Sequence, residues 1–267
     1  MKLACQEGLI PGDTFAAGLA KLAAYGFEGV ELNGARLLDP EGLAERRAAL
    51  AESPVRPSSI CGGFPAELVH PDPKRRRACV DTIKRLIDIA AELGAGGPIV
   101  VPIFNANDRI PGLSPLRSRH DLEIDLLCTL LAEIGGHAES VGAVMFLEPL
   151  NRYESDALKN VAEAAAVVRR VGSPGIRVIA DFFHMNIEET DIPAALTAAG
   201  DLIGHIHLAD NTRLEPGTGM TDFAAGFAAL KQIGYTGYMA LECGFSGPAD
   251  EVLPRSVAYL RRCIAEG

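Results

Sequence analysis

The sequence predicts an α/β protein of the (β/α)8-barrel class, and two observations support this prediction. Eight short runs of mainly aliphatic residues alternate along the chain with longer amphipathic stretches. Apolar residues follow one another within these runs without a regular polar alternation, as expected for strands of a parallel sheet that is covered on both faces. Eight such units match a closed barrel, whereas a doubly wound sheet usually has fewer strands and a glycine-rich phosphate loop. The sequence contains neither GxGxxG nor GxxxxGKS/T.

The elements follow one another as strand and helix along the whole chain. Gly, Pro or charged residues bound each apolar run, and we predict strands at 2–6, 29–32, 55–61, 98–103, 143–148, 177–181, 203–208 and 238–242. Ala and Leu recur at three- and four-residue spacing in the stretches between them, which predicts helices near 13–25, 40–52, 73–94, 120–141, 158–171, 188–199, 222–233 and 249–265. Because no linker or low-complexity tract divides the pattern, residues 1–267 are predicted to form a single barrel domain.

The charge and hydropathy of the chain exclude two classes of partner. A net charge of −10 argues against a nucleic-acid-binding protein, because such proteins usually have a basic face. The main basic cluster, Lys74 to Arg77, opens a predicted helix between Asp72 and Asp81, and we interpret it as a solvated helix face, with phosphate binding as the alternative. No stretch approaches the ~20 apolar residues of a transmembrane helix, so we expect no membrane partner.

The cysteines and the start of the chain indicate a cytoplasmic protein. The six cysteines are dispersed without a CxxC pair, so reduced thiols are expected. The apolar start ends at Gln6 and Glu7, which is too early for an export signal and fits a first strand better.

Polar residues end four consecutive predicted strands: Glu148, Asp181, His207 and Glu242. In a parallel barrel, side chains at the carboxyl ends of the strands converge on one mouth, where the chemistry of such proteins takes place. Three carboxylates in one place would repel each other unless a cation neutralised them. Mostly oxygen ligands with one nitrogen favour Mn²⁺, with Mg²⁺ or Co²⁺ as alternatives and Zn²⁺ less suited.

Two further polar side chains are expected inside the barrel. His205 and His207 are two residues apart on one strand, so they share a face but differ in depth by roughly 6.5 Å. We therefore expect His207 as the ligand and His205 as a deeper, hydrogen-bonded residue. Glu31, at the end of the second strand, is expected either to contact substrate or to form an ion pair.

The sequence resembles the xylose isomerase-like TIM barrels, and within them the ketose 3-epimerases, the tagatose and psicose epimerase group. The resemblance is specific from about residue 143 to 243 and is carried by LEPLNRYE at 147–154, DFFHMNIEE at 181–189, HIH at 205–207 and Leu241-Glu242. It implies that Glu148, Asp181, His207 and Glu242 bind one divalent metal ion. It also implies that Glu154, His184 and Arg213 hold the hydroxyl and carbonyl oxygens of a substrate.

The chemistry implied by this resemblance is the movement of a proton beside a carbonyl, the work of an isomerase-class enzyme. A divalent ion stabilises the developing enediolate, and a carboxylate within hydrogen-bond reach removes the proton. Epimerisation needs one such group on each face of the intermediate, and we expect Glu148 and Glu242 in these two catalytic roles. The expected partner is a small sugar or polyol-derived ketone, and the chain is compatible with a homodimer or homotetramer.

Some features leave the substrate open. The loop Phe104 to Arg109 lacks the Trp that several ketose epimerases have nearby, and the segment 62–65 does not identify a sugar or a phosphate. An inosose dehydratase or a hydroxypyruvate-type isomerase of the same superfamily is the alternative, and a sugar-binding barrel without activity is a remote one. The three-zinc DNA-repair endonucleases of the superfamily need histidines after strands three and four. In this chain, Phe104-Asn105 follow strand four, so an endonuclease of this kind is not expected.

Overall fold

The structure is a computed structural model that describes residues 1–104 and 108–267. Within those residues, one sheet of eight parallel strands has the order β3-β2-β1-β8-β7-β6-β5-β4. The strands are β1 (Lys2–Gln6), β2 (Gly29–Asn33), β3 (Arg56–Cys61), β4 (Ile99–Val100), β5 (Met145–Leu147), β6 (Ile176–Asp181), β7 (Ile203–Leu208) and β8 (Tyr238–Leu241).

The two ends of this sheet, β3 and β4, meet and close the barrel. Ile60 forms a parallel bridge with Pro98, and its amide donates to the carbonyl of Gly97 at 2.9 Å. The amide of Gly96 donates to the carbonyl of Ser58 at the same distance. The predicted (β/α)8-barrel architecture is therefore confirmed.

Helices surround the sheet and follow the strands in sequence. The ranges are α1 (Phe15–Tyr25), α2 (Gly34–Leu38), α3 (Pro40–Ala51), α4 (Pro73–Leu93), α5 (Arg119–Val141), α6 (Val161–Val171), α7 (Phe182–Glu188), α8 (Ile192–Ala199), α9 (Phe223–Gln232) and α10 (Ala249–Glu266). No helix in the described part of the chain is both long and apolar enough to cross a membrane.

Two short helices, α2 and α7, were not expected from the sequence. Each begins directly after a strand whose last residue caps it, because Asn33 accepts from the amides of residues 35 and 36, and Asp181 accepts from the amide of Phe183. The predicted helix 188–199 was wrong at its start, since α7 ends at Glu188 and α8 begins at Ile192 after the cap Asp191. Asp181 thus ends a strand and starts a helix at the mouth of the barrel.

The fourth and fifth strands are shorter than predicted. The chain was expected to be extended in the sheet over 98–103 and 143–148, but the ladders include only Ile99–Val100 and Met145–Leu147. Beyond β4, Pro102 accepts from the amide of Leu68, and Ile103 forms an antiparallel bridge with Glu67 in the loop after β3. Residues past Val100 therefore leave the sheet and pair with a neighbouring loop. Residues 105–107 of the loop singled out in the sequence lie outside the described residues.

A bulge in β7 sets the direction of the two strand histidines. The pairing of β6 and β7 runs from Val178 opposite Ile203 to Ile179 opposite His205, so Gly204 is an extra residue in the ladder. A Cβ on Gly204 would lie 2.5 Å from the Cβ of Arg177, which explains the glycine. Two residues further along both strands, on the same face of the sheet, His207 is opposite Asp181.

Candidate metal and substrate site

The four predicted ligands converge at the carboxyl ends of neighbouring strands. Asp181 and His207 are direct partners in the ladder, while Glu148 and Glu242 each follow the last residue of their strand. One ligand atom from each of the four side chains lies within 4.8 Å of every other. Glu148, Asp181 and His207 are buried, and Glu242 is partly exposed. The barrel therefore brings together the residues selected from their positions in the sequence.

The donor atoms of this cluster fit a cation. Among the described residues, Glu148 Oε1, Asp181 Oδ2 and His207 Nδ1 are buried without a hydrogen-bond partner. His207 Nδ1 lies 3.1 Å from Glu242 Oε2 and 3.7 Å from Glu148 Oε1, in contacts that do not have hydrogen-bond geometry. Buried polar atoms are normally paired, so three that face one another need another explanation. Three carboxylates and one imidazole form a donor set suited to a hard or borderline divalent ion.

The carboxylates of the cluster repel one another. Burial, together with the charge of Glu242, raises the pKa of Asp181 to about 7. Burial also raises the pKa of Glu148 above its ordinary value. For Glu242, burial opposes ionisation, but attraction to His207 outweighs burial and lowers the pKa. Positive charge supplied at this point would favour the ionised form of all three carboxylates.

Glu31 lies behind His207 and not against the cavity. Both of its carboxylate oxygens are 3.0 Å from His207 Nε2, and Oε2 is 2.9 Å from His205 Nε2. Ser59 Oγ donates to the same Oε2 at 2.6 Å. Of the two roles expected for Glu31, contact with substrate is not supported, because Glu31 contacts the two histidines and does not line the cavity. His205 is hydrogen-bonded and its ring stacks on Phe146 at 5.3 Å, as expected for the deeper histidine.

A cavity adjoins the cluster and is lined by all three side chains predicted to bind substrate, Glu154, His184 and Arg213. The guanidinium of Arg213 lies 3.3 Å from both Glu154 Oε1 and Glu242 Oε2 and stacks over Phe183 at 4.4 Å. Its positive charge is therefore next to Glu242 of the cluster.

His184 is held in one tautomer. The backbone amide of Asn151 donates to His184 Nδ1 at 3.2 Å, so Nε2 carries the proton of the neutral ring. Burial lowers the pKa of His184, which favours this neutral form. Nε2 lies 3.4 Å from Asp181 Oδ2, and the ring lines the cavity. His184 therefore presents an N–H donor beside the cluster.

The loop after β7 holds Arg213 in a strained backbone conformation. Arg213 has a φ of 58°, in the left-handed region that non-glycine residues seldom adopt. Its amide donates to the carbonyl of Asp210 at 2.8 Å, and its carbonyl accepts from the amide of Gly244 at 2.7 Å. The buried carboxylate of Asp210 in turn accepts from the amides of Gly217, Gly219 and Thr221. Asp210 was not singled out from the sequence, although its place just after a strand was a usable signal.

Gln6 and the apolar wall of the cavity were not predicted from the sequence either. Gln6, the last residue of β1, donates from Nε2 to Glu31 Oε1 at 3.0 Å and to Glu242 Oε1 at 2.8 Å. Its position at a strand end was again a signal. Apolar or weakly polar side chains line the wall, including Cys61, Phe64, Ile99, Val101, Phe104 and Leu150. In the sequence, side chains of this type cannot be distinguished from the core.

Residues 19–263 match the family described as Xylose isomerase-like TIM barrel. The chain belongs to this family. A 3-dehydro-D-guloside 4-epimerase of Escherichia coli K12 is 31% identical over 265 residues, which cover 98% of this chain and 100% of that protein. A D-psicose 3-epimerase of Enterocloster bolteae is 33% identical over 234 residues, covering 83% of this chain and 74% of that protein.

Solved structures of this family superpose over almost the whole chain. The structure of a 3-keto-D-glucoside 4-epimerase from E. coli has a TM-score of 0.89 at 30% identity and covers 98% of this chain and 100% of that one. A D-psicose 3-epimerase with D-tagatose from Clostridium cellulolyticum H10 has a TM-score of 0.85 at 21% identity, covering 99% of each chain. The resemblance stated from the sequence is thus confirmed. These xylose isomerase-like relatives are carbohydrate epimerases, in agreement with the predicted isomerase class, and they include both 3- and 4-epimerases.

Proposed function

We propose that this chain is a divalent-metal-dependent sugar epimerase that inverts a carbon next to a carbonyl. The observation that supports it most is the cluster of Glu148, Asp181, His207 and Glu242, whose ligand atoms lie within 4.8 Å of one another beside a cavity. We also propose that residues 1–267 act as one barrel domain. Assembly into a homodimer or homotetramer stays a prediction.

The four residues of the cluster would hold one divalent ion, with Mn²⁺ as the first candidate. When bound, the ion supplies positive charge that stabilises negative charge developing on the substrate oxygens. Arg213 and the Nε2–H of His184 both face the cavity beside the cluster, and they donate to substrate oxygens. Glu154, paired with Arg213, accepts from a substrate hydroxyl.

Glu148 and Glu242 transfer the proton in this proposal. They follow β5 and β8, which are separated in the sheet by two strands, and so they approach a bound sugar from different directions. One carboxylate removes the proton from the carbon beside the carbonyl, which leaves a planar enediolate. The other delivers a proton to the opposite face. The apolar wall that includes Phe64 and Phe104 limits access of water to this carbon.

Two substrate classes fit this chemistry. The first is a free ketose inverted at C3, favoured by the motifs between residues 147 and 242. The second is a 3-keto glycoside inverted at C4, favoured by the match to E. coli 4-epimerases over their full length. In both classes the inverted carbon is the immediate neighbour of the ketone, so the same residues serve either reaction.

The test is an NMR assay in D₂O with Mn²⁺ and a panel of ketoses, 3-keto glycosides, inososes and short hydroxy-ketones. We expect one panel member to give its epimer, with deuterium at the inverted carbon. Water loss from an inosose would instead support the dehydratase, and aldose formation would support an isomerase. A variant with both Glu148→Gln and Glu242→Gln is the control for background exchange. If the wild-type chain loaded with Mn²⁺ converts none of these compounds, the proposal is wrong.

A further inference from the structure

The carboxylate of Glu31 is surrounded by hydrogen-bond donors. Oε2 accepts from Ser59 Oγ at 2.6 Å and contacts His205 Nε2 at 2.9 Å, while Oε1 accepts from Gln6 Nε2 at 3.0 Å. His207 Nε2 lies 3.0 Å from both oxygens. Glu31 is 1% exposed, so these contacts take the place of water. A carboxylate has about four acceptor sites, and here all of them are used.

A bulge in the barrel wall creates this arrangement. In the ladder between β2 and β3, Val30 is opposite Pro57 but Glu31 is opposite Ser59, so Ser58 is an extra residue. The shift puts the Ser59 hydroxyl beside the Glu31 carboxylate, and the Ser58 hydroxyl bonds to the carbonyl of Val30. Bulges of this kind often redirect side chains next to functional sites. The position of Glu31 is therefore built into the backbone.

The orientation of His207 follows from these contacts. An ionised carboxylate only accepts hydrogen bonds, so the nitrogen that faces Glu31, Nε2, must carry a proton. Nδ1 then points to Glu148 and Glu242, and it is one of the buried atoms without a hydrogen-bond partner among the described residues. A second-layer carboxylate that fixes the tautomer of a histidine ligand is a common device around metal ions.

Gln6 extends the same support to a second member of the cluster. Its Nε2 donates both to Glu31 Oε1 and to Glu242 Oε1, at 3.0 and 2.8 Å. The remaining oxygen of Glu242, Oε2, is the one that lies 3.1 Å from His207 Nδ1. Glu31 therefore holds His207 directly and Glu242 through one amide group.

We propose that Glu31 is a positioning residue that fixes His207 with its proton on Nε2, so that Nδ1 is the metal-ligating atom. The inference rests on the proposed function only in that the cluster binds a cation. Glu31, His205 and His207 also form a second group that could be considered for a metal. Their nitrogen and oxygen atoms already contact each other at 2.9–3.0 Å, however, and this is the arrangement of a hydrogen-bond network.

The first test measures the affinity of the purified chain for Mn²⁺, with free Mn²⁺ followed by electron paramagnetic resonance. Loss of a second-layer partner typically weakens metal binding roughly 10–100-fold, and we expect this loss for Glu31→Gln. Glu123→Gln is the matched control, because Glu123 is also 1% exposed and pairs with Arg109, but it is in neither the cluster nor the lining of the cavity. The control should lower the melting temperature and leave the Mn²⁺ affinity unchanged.

The second test identifies the ligating nitrogen. Histidine labelled with ¹⁵N at either Nδ1 or Nε2 is incorporated, and the coupling of the label to bound Mn²⁺ is measured by electron–nuclear double resonance. We expect a direct coupling from the Nδ1 label in the wild-type chain, and its loss or change in Glu31→Gln. A direct coupling from the Nε2 label in the wild-type chain would overturn the inference.

If Glu31→Gln does not fold, Glu31→Asp is used instead. This variant keeps the negative charge, but its side chain is one methylene shorter, so the carboxylate lies farther from His207. It should bind Mn²⁺ more weakly than the wild type, whereas Ser59→Ala, which keeps the carboxylate, should change affinity less. If the wild-type chain binds Mn²⁺ and the Glu31 variants bind equally well, the inference fails and the proposed function stands. If the wild-type chain does not bind a divalent ion, both fail.

Discussion

Asp181 has two contacts whose effects can be separated by substitution. Oδ1 caps α7 by accepting from the amide of Phe183 at 2.7 Å, and Oδ2 faces the cluster without a hydrogen-bond partner among the described residues. Asp181→Asn keeps the size and the capping oxygen but removes the charge, since Asn is as good a helix cap as Asp. Asp181→Ala removes both.

The expected change in the free energy of unfolding follows from the pKa of Asp181. Burial and the charge of Glu242 raise it from 3.8 to about 7, so the folded chain binds a proton here more tightly than the unfolded chain. Stability without metal therefore falls as pH rises through this window, and is lowest above pH 7. At about 1.4 kcal/mol per pKa unit, the cost at pH 8 is roughly 4 kcal/mol. We expect metal-free Asp181→Asn to be more stable than the metal-free wild type at pH 8, by roughly 2–4 kcal/mol if water relaxes part of the cost.

Metal should offset most of this difference. At a Mn²⁺ concentration 100 times the dissociation constant, the wild type gains about 2.7 kcal/mol, whereas Asp181→Asn at the same concentration should gain almost nothing. Asp181→Ala should behave in the same way towards metal and be about 1 kcal/mol less stable than the Asn variant, because the cap is lost.

Urea unfolding at pH 5 and pH 8, with EDTA or Mn²⁺, measures all of these differences, and the metal content of each purified variant is measured in parallel. The reasoning would be refuted by an Asp181→Asn chain that binds Mn²⁺ as tightly as the wild type. It would also be refuted if that variant, free of metal, were no more stable than the wild type at pH 8.

Three further predictions concern other residues. His184→Ala and Arg213→Ala should lower turnover while metal content stays that of the wild type; loss of metal in the former would show that the imidazole is a ligand. Glu148→Gln and Glu242→Gln should each lower epimerisation roughly 10²–10⁴-fold and wash deuterium into opposite epimers, and a fully metallated variant that epimerises at the normal rate would contradict the two-base mechanism. Phe227→Ala, at a fully buried ring, should lower the free energy of unfolding by about 3–5 kcal/mol in calorimetry, with kcat per folded molecule unchanged.

The sequence was sufficient to predict the barrel and its four converging residues because both depend on simple regularities. Strand ends in a parallel barrel meet at one mouth, so Glu148, Asp181, His207 and Glu242 could be selected from position alone. The role of Glu31 could not be predicted in the same way. Its contact with Ser59 depends on a bulge, and no local pattern in the sequence shows which residue of β3 is skipped.

Other misses have a similar cause. Gln6 acts through partners that are 25 and 236 residues away in sequence, and such contacts exist only once the barrel has closed. The strand around Ile99 is short because the following residues pair with the loop after β3, which is again a tertiary contact. A hydrophobic run therefore indicates where a strand begins, but the end of the strand depends on the tertiary contacts of the residues that follow it.

Most of the apolar wall of the cavity comes from a different arc of the barrel than the charged cluster. The cluster is supplied by the ends of β5 to β8, while Phe64, Ile99 and Phe104 belong to β4 and to the loops that follow β3 and β4. In a protein divided in this way, substitutions on the apolar arc can change the sugar specificity while selection preserves the charged residues on the other arc. Over evolutionary time, changes in substrate range within this lineage should therefore be recorded mainly at positions 64, 99 and 104, beside a proton-transfer apparatus that stays the same.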